Sequence, residues 1–170
     1  MIIDSSYFTK GIRHIQNCTV PADKEGATMA SVKPEAIAAN AMIEGYIGQY
    51  QHRFMVSVFG REVAGALEAY AEQEEEEIPD YDAVLKNISD ALADWVMYWF
   101  LRGASQQATT LGVTVFDNAN KVANPASRQA EVWNDMVDEL RAFSEWAVNG
   151  TNVNVSIEQD MLTKITAVWL

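Results

Sequence analysis

Apolar residues recur at helical spacing along most of this chain, and the spacing fails in three places. Pro34 suits the first turn of a helix, where its missing N–H is not needed. Ile37, Ala41, Met42, Tyr46 and Ile47 then repeat at helical intervals and predict a helix to about Gln49. Gly45 and Gly48 lie inside it; each costs about 1 kcal/mol against alanine, so close helix approach or a bend is the expected compensation. A second helix is predicted through RFMVSVF (53–59), capped by Gly60, because glycine accepts left-handed backbone freely. A third turns Val63, Leu67 and Tyr70 inward and dissolves into the charge run AEQEEEEIPD (71–80). The strongest stripe, Val84, Leu85, Ile88, Leu92, Trp95, Val96 and Trp99, predicts a central helix over 82–102. Tyr98, Phe100 and Leu101 carry apolar character round its second half, which should therefore be surrounded. A last helix over 127–148 faces the core with Trp133, Met136, Val137, Leu140, Phe143 and Ala147. Arg128, Glu131, Asp135, Asp138, Glu139 and Arg141 face outward, and Asn149-Gly150 ends it.

The three irregular stretches set the domain plan. Residues 1–33 show little periodicity and read as an extended N-terminal arm lying across the surface or reaching a neighbour. Residues 34–150 form the helical core domain. Inside it, 104–125 is polar and rich in Gly and Asn; its alternating LGVTVF patch predicts a loop containing a short strand or β-hairpin. Residues 151–170 form a C-terminal tail whose VNVSI alternation suggests a strand. The fold class is thus mainly α: a helical bundle of about four to five helices with a loop or hairpin insertion and extended terminal segments. Loops of such length are disproportionately functional. Segments 104–125 and 151–170 are accordingly expected to be mobile in the free protein and ordered on assembly, with the apolar end Trp169-Leu170 covered by a neighbour.

Composition narrows the function. Net charge is −12, and the 12 Lys and Arg residues are scattered singly, whereas a phosphate-gripping surface needs clustered cations. Direct nucleic-acid binding and attachment to anionic membranes are both disfavoured, and strong acidity favours basic partners. The longest apolar run, WVMYWFL (95–101), is far short of the ~20 residues that span a bilayer, and the first residues lack the pattern of a signal peptide. A single cysteine, Cys18, excludes an internal disulfide.

Catalytic chemistry finds no foothold. His14 and His52 have no partner at ligand spacing, and a zinc site needs three or four converging ligands. Cys18 has no adjacent histidine to activate it. Glu72 and the contiguous Glu74, Glu75, Glu76 and Glu77, with Asp80 and Asp82, lack the glycine turn and alternate oxygens of a calcium loop. They read as a solvated helix end or as a contact for a basic partner. Phosphate-binding and nucleophile motifs are missing, so the reading is a non-enzymatic protein with no cofactor and no metal.

Two blocks carry a family resemblance. AMIEGYIGQYQHRFMVSVFGREVAGAL (41–67) and YWFLRGASQQATTLGVTVFDNANKVANPASRQAEVWNDMVDELRAFSEWA (98–147) resemble the small helical head–tail connector (adaptor or head-completion) proteins of tailed bacteriophages, in the version found in phages of Bacteroidetes. Matching features in the second block are Thr109, Thr110, Gly112 and Val113, then Trp133, Asn134, Met136 and Val137; the opening IIDSSYFTKGI also fits. Gln51-His52-Arg53 and the 151–170 tail depart from the family pattern. The resemblance implies a structural virion protein at the neck, assembled in the host cytoplasm. It would form a ring, dodecameric to match the portal, between the portal protein and the downstream neck or tail protein. DNA would pass through the lumen without specific binding, and no membrane is involved. Candidate contact residues are Glu74, Glu75, Glu76, Glu77, Thr110, Val113, Phe116, Trp169 and Leu170. The competing reading is an acidic helical interaction module, a monomeric regulator or inhibitor of a basic partner.

Overall fold

Three of the four prolines open helices, which accounts for where the helical segments begin. The computed structural model describes residues 1–73, 77–104, 106–109, 112–115 and 125–167. Among these the α-helices are α1 (Pro34–Ala71), α2 (Pro79–Ala104) and α3 (Pro125–Gly150). The chain is mainly helical, with fewer helices than the four to five expected. The two segments predicted on either side of Gln51 are one continuous helix, because Gly45 and Gly48 stay helical. Gly60 does interrupt α1. Its φ of 74° and ψ of 164° lie in a region only glycine enters without strain, so the helix breaks there and resumes. Two short strands, β1 (Gln106–Thr109) and β2 (Gly112–Val115), pair antiparallel within the segment read from sequence as a loop with strand character.

α2 is the centre. Residues 91–98 are all buried, as the loss of a polar face along its second half predicted. It packs Val84, Ile88, Leu92 and Val96 against α1 and α3. α1 contributes Ile43, Ile47, Phe54, Met55, Val58 and Leu67, and α3 contributes Val132, Met136, Val137, Leu140 and Phe143.

The first 33 residues are no arm over the surface. They fold into three short 3₁₀ turns and place Ile3, Phe8, Ile15 and Cys18 in the core. The Asp4 carboxylate accepts from Ser6 N at 2.8 Å and caps the first turn. Asn40 of α1 fastens the segment, accepting from Thr19 N at 3.0 Å and donating to Thr19 O at 3.1 Å. Arg128 of α3 donates to Ile12 O at 2.6 Å and His14 O at 2.9 Å. Irregular backbone can be buried here because side chains satisfy its polar groups.

The described part of the tail, 151–167, is docked against α1 and α3. A break at Gly60 denies the carbonyls of Ser57 and Val58 their regular helical donors. The tail supplies two: Ser156 N to Val58 O and Glu158 N to Ser57 O, both 2.9 Å. Donors two residues apart define an extended chain, and Val153, Val155 and Ile157 are half-buried while Asn154, Ser156 and Glu158 are exposed. The strand-like alternation of VNVSI is therefore real, but its backbone partner is a broken helix rather than a sheet. Beyond it, Met161 is buried, Trp133 Nε1 donates to Thr163 O at 2.8 Å, and the Asn134 side chain pairs with both Ile165 N (2.9 Å) and Ile165 O (3.0 Å).

Candidate interaction surfaces

α1 carries apolar residues on two faces. Ala36, Ala39, Ile43 and Ile47 turn inward. Ile37, Ala38, Ala41, Met42, Gly45 and Gly48 turn outward, with Ile37 56% and Met42 44% exposed. At 100° per residue this outward set spans an arc of about 140°. The turn before α1 (Met29–Val32) adds Met29 and Val32, which are 84% and 58% exposed. The expected close helix approach to Gly45 and Gly48 is missing among the described residues. A Cβ built on either glycine meets nothing within 4 Å, and the helix does not bend there. Two residues that weaken a helix thus lie on an open, flat, apolar surface.

A second feature lies where α1, α2, α3 and the tail meet. Tyr50 stacks on Trp99 (ring centroids 5.1 Å, planes 6° apart), Trp99 meets Trp95 edge to face at 5.6 Å, and Tyr98 meets Trp133 at 4.9 Å. The Arg53 guanidinium lies 5.9 Å from the Trp95 ring and 5.3 Å from that of Trp99, and Arg102 lies 5.6 Å from Trp99. Arg53, Trp95, Tyr98 and Trp99, with Arg61, Trp133 and Met161, line an open groove of about 640 Å³. His52 at its edge is paired with Glu68 (Nδ1 to Oε2, 2.7 Å). Tail residues Glu158 and Asp160 also line the groove, so it is aromatic and carries both signs of charge.

Neither surface assembles a nucleophile, base and electrophile. Among the described residues no group of three or more His, Cys, Asp or Glu is placed to hold a metal ion. Burial pushes the Cys18 thiol up to about 11, which keeps it protonated and unreactive at neutral pH. His14 is engaged with Thr9 O at 2.9 Å. No helix among the described residues is long and apolar enough to cross a membrane.

Of the contact residues selected from sequence, the structure describes Glu77 and Val113. Glu77 is exposed two residues before α2, and Val113 pairs with Ala108 in the strand ladder. Glu74, Glu75, Glu76, Thr110, Phe116, Trp169 and Leu170 lie outside the described residues. Sequence reasoning listed Ile37, Ala41 and Met42 with Tyr46 and Ile47 at helical spacing and did not separate an outward from an inward face of α1. The signal was present: Ala36, Ala39, Ile43 and Ile47 form a rival stripe, and one helix cannot bury both without partners on two sides.

The chain matches no family model, and neither a curated protein nor a solved structure is similar to it. The first block that carries the connector resemblance, 41–67, lies within α1, whereas the second crosses residues 105, 110–111 and 116–124, outside those described.

Proposed function

We propose that this protein is a structural head–tail connector that assembles as a ring between the portal and the neck or tail of a tailed-phage particle. The observation that best supports the reading is the outward face of α1, an apolar, glycine-bearing helix surface that nothing among the described residues covers. A surface of that kind is suited to helix packing against a neighbour, where small residues allow close approach. The abundant negative charge would line a ring's lumen or meet basic partners, and it would repel DNA so that it slides through.

Native mass spectrometry of the protein alone and mixed with purified portal tests the proposal. The expected result is a closed oligomer or a portal-bound ring. Ala41→Glu and Gly45→Glu should prevent it without changing the circular-dichroism spectrum, because both positions are exposed. A stable monomer that ignores the portal and forms a 1:1 complex with a basic nucleic-acid-binding protein would overturn the proposal in favour of the acidic interaction module.

A further inference from the structure

α2 and α3 face each other with two carboxyl groups apiece, each pair one helical turn apart: Asp90 and Asp94 on α2, Asp135 and Glu139 on α3. Among the described residues Arg13 is the cation that acts on Asp90, Asp94 and Glu139. Arg13, from the 3₁₀ turn Gly11–Arg13, reaches Asp90 Oδ1 at 2.8 Å and donates to Asp90 O at 3.1 Å. Its Nε lies 3.5 Å from Asp94 Oδ1, an ion-pair distance without a hydrogen bond. The Asp94 side chain is only 3% exposed. Asp94 Oδ1 and Glu139 Oε2 are both buried with no hydrogen-bond partner. The two side chains nevertheless lie within hydrogen-bonding reach of each other. Ionised carboxylates are acceptors only, so two neighbouring buried oxygens without a donor favour a proton held between them.

We infer that Asp94 and Glu139 share one proton at neutral pH, and that this makes the α2–α3 seam a proton-linked switch, closed while the proton is held and opened to water once it is lost. Charge counting supports it. With the proton held, one buried carboxylate faces one guanidinium. With the proton lost, two buried carboxylates face the same guanidinium, with Asp90 and Asp135 adding repulsion from the rim. Burial is the largest cause raising both groups above the ordinary carboxylate range, each is raised further by neighbouring carboxylates, and Arg13 offsets only part of this. The seam joins the central helix to the helix that carries the tail, so its state bears on how the tail and N-terminal segment are held. The inference is independent of the connector reading.

Infrared difference spectroscopy of the whole protein between pH 6 and pH 9 tests the shared proton directly. The expected result is loss of about one carboxylic-acid carbonyl per chain, absent in Glu139→Gln, whose amide can donate to Asp94 without titrating. Arg13→Gln should move that loss upward by about one pH unit or more, because removing the cation makes the second ionisation harder. Hydrogen exchange read as protection factors should show peptides around 88–97 and 132–143 losing protection on the order of tenfold across the same interval in wild type but not in Glu139→Gln. If no protonated carboxyl is present at pH 6, the shared proton is refuted. If Glu139→Gln loses the same signal, the assignment is refuted. If the proton leaves and the seam stays protected, the switch is refuted. Should Glu139→Gln not fold, the wild-type amplitude and the Arg13→Gln shift still decide.

Discussion

Gly60→Ala and Gly45→Ala are the same chemical change in the same helix, and they should act in opposite directions. At Gly60 the backbone sits at φ 74° and ψ 164°, and a Cβ there meets no neighbour, so any cost is torsional rather than a clash. Holding an L residue in that region costs about 1–3 kcal/mol. The alternative is for α1 to heal into a continuous helix. Arg61 N and Glu62 N would then donate to the carbonyls of Ser57 and Val58, the two acceptors now used by Ser156 N and Glu158 N. Either route destabilises the native arrangement, and the second releases the tail. At ~2–4 °C per kcal/mol for a domain of this size, a 2 kcal/mol loss lowers Tm by roughly 4–8 °C. Gly45 has ordinary helical geometry, an exposed position and open space, so alanine there should stabilise by about 0.5–1 kcal/mol. Melts followed by circular dichroism, with limited proteolysis to report cleavage within 151–167, distinguish the outcomes. A Gly60→Ala protein that melts within a degree of wild type with an uncut tail would refute the account of why the tail docks. Such a result would mean that the break in α1 is not needed to seat it.

Three further outcomes follow from the packing. Trp95→Ala should destabilise by ~3–5 kcal/mol, since Trp95 is 3% exposed among Phe54, Trp99 and Trp133, whereas Trp133→Ala should cost less and instead free the tail by removing the bond to Thr163 O; chemical denaturation and tail proteolysis measure the two effects. The Asp94–Glu139 pair titrates as a unit raised by burial, so its contribution is greatest below the unfolded values of 3.8 and 4.5 and is lost as pH rises toward the point where the shared proton leaves. The urea midpoint should therefore fall from about pH 5 to about pH 8, and Glu139→Gln should flatten the fall. Cys18, buried and held protonated, should react with a disulfide reagent much more slowly than a free thiol at pH 8 and at the free-thiol rate once the protein is unfolded; rapid reaction of the native protein would show that the N-terminal segment opens readily.

Local sequence by itself determined where the first helix starts, which stripe is most buried and where that first helix breaks. Pro34 sets a helix start through its own backbone, the all-apolar run from Trp95 to Leu101 leaves no face for water, and Gly60 permits a conformation other residues resist. These effects act within a few residues, so they are legible from one chain. Tertiary structure decided the rest. Phe8 and Ile3 enter the core from turns with no periodicity, because Asn40 and Arg128 satisfy the irregular backbone from distant helices. Glu139, expected outward by its charge, turns toward Asp94, and both can be buried because a carboxyl pair with one proton carries a single charge. Ile37 and Met42 satisfy the same helical spacing as Ile43 and Ile47, yet face solvent. Periodicity identifies that a helix has an apolar stripe; only the positions of the neighbouring helices determine which stripe is covered and which remains for a partner.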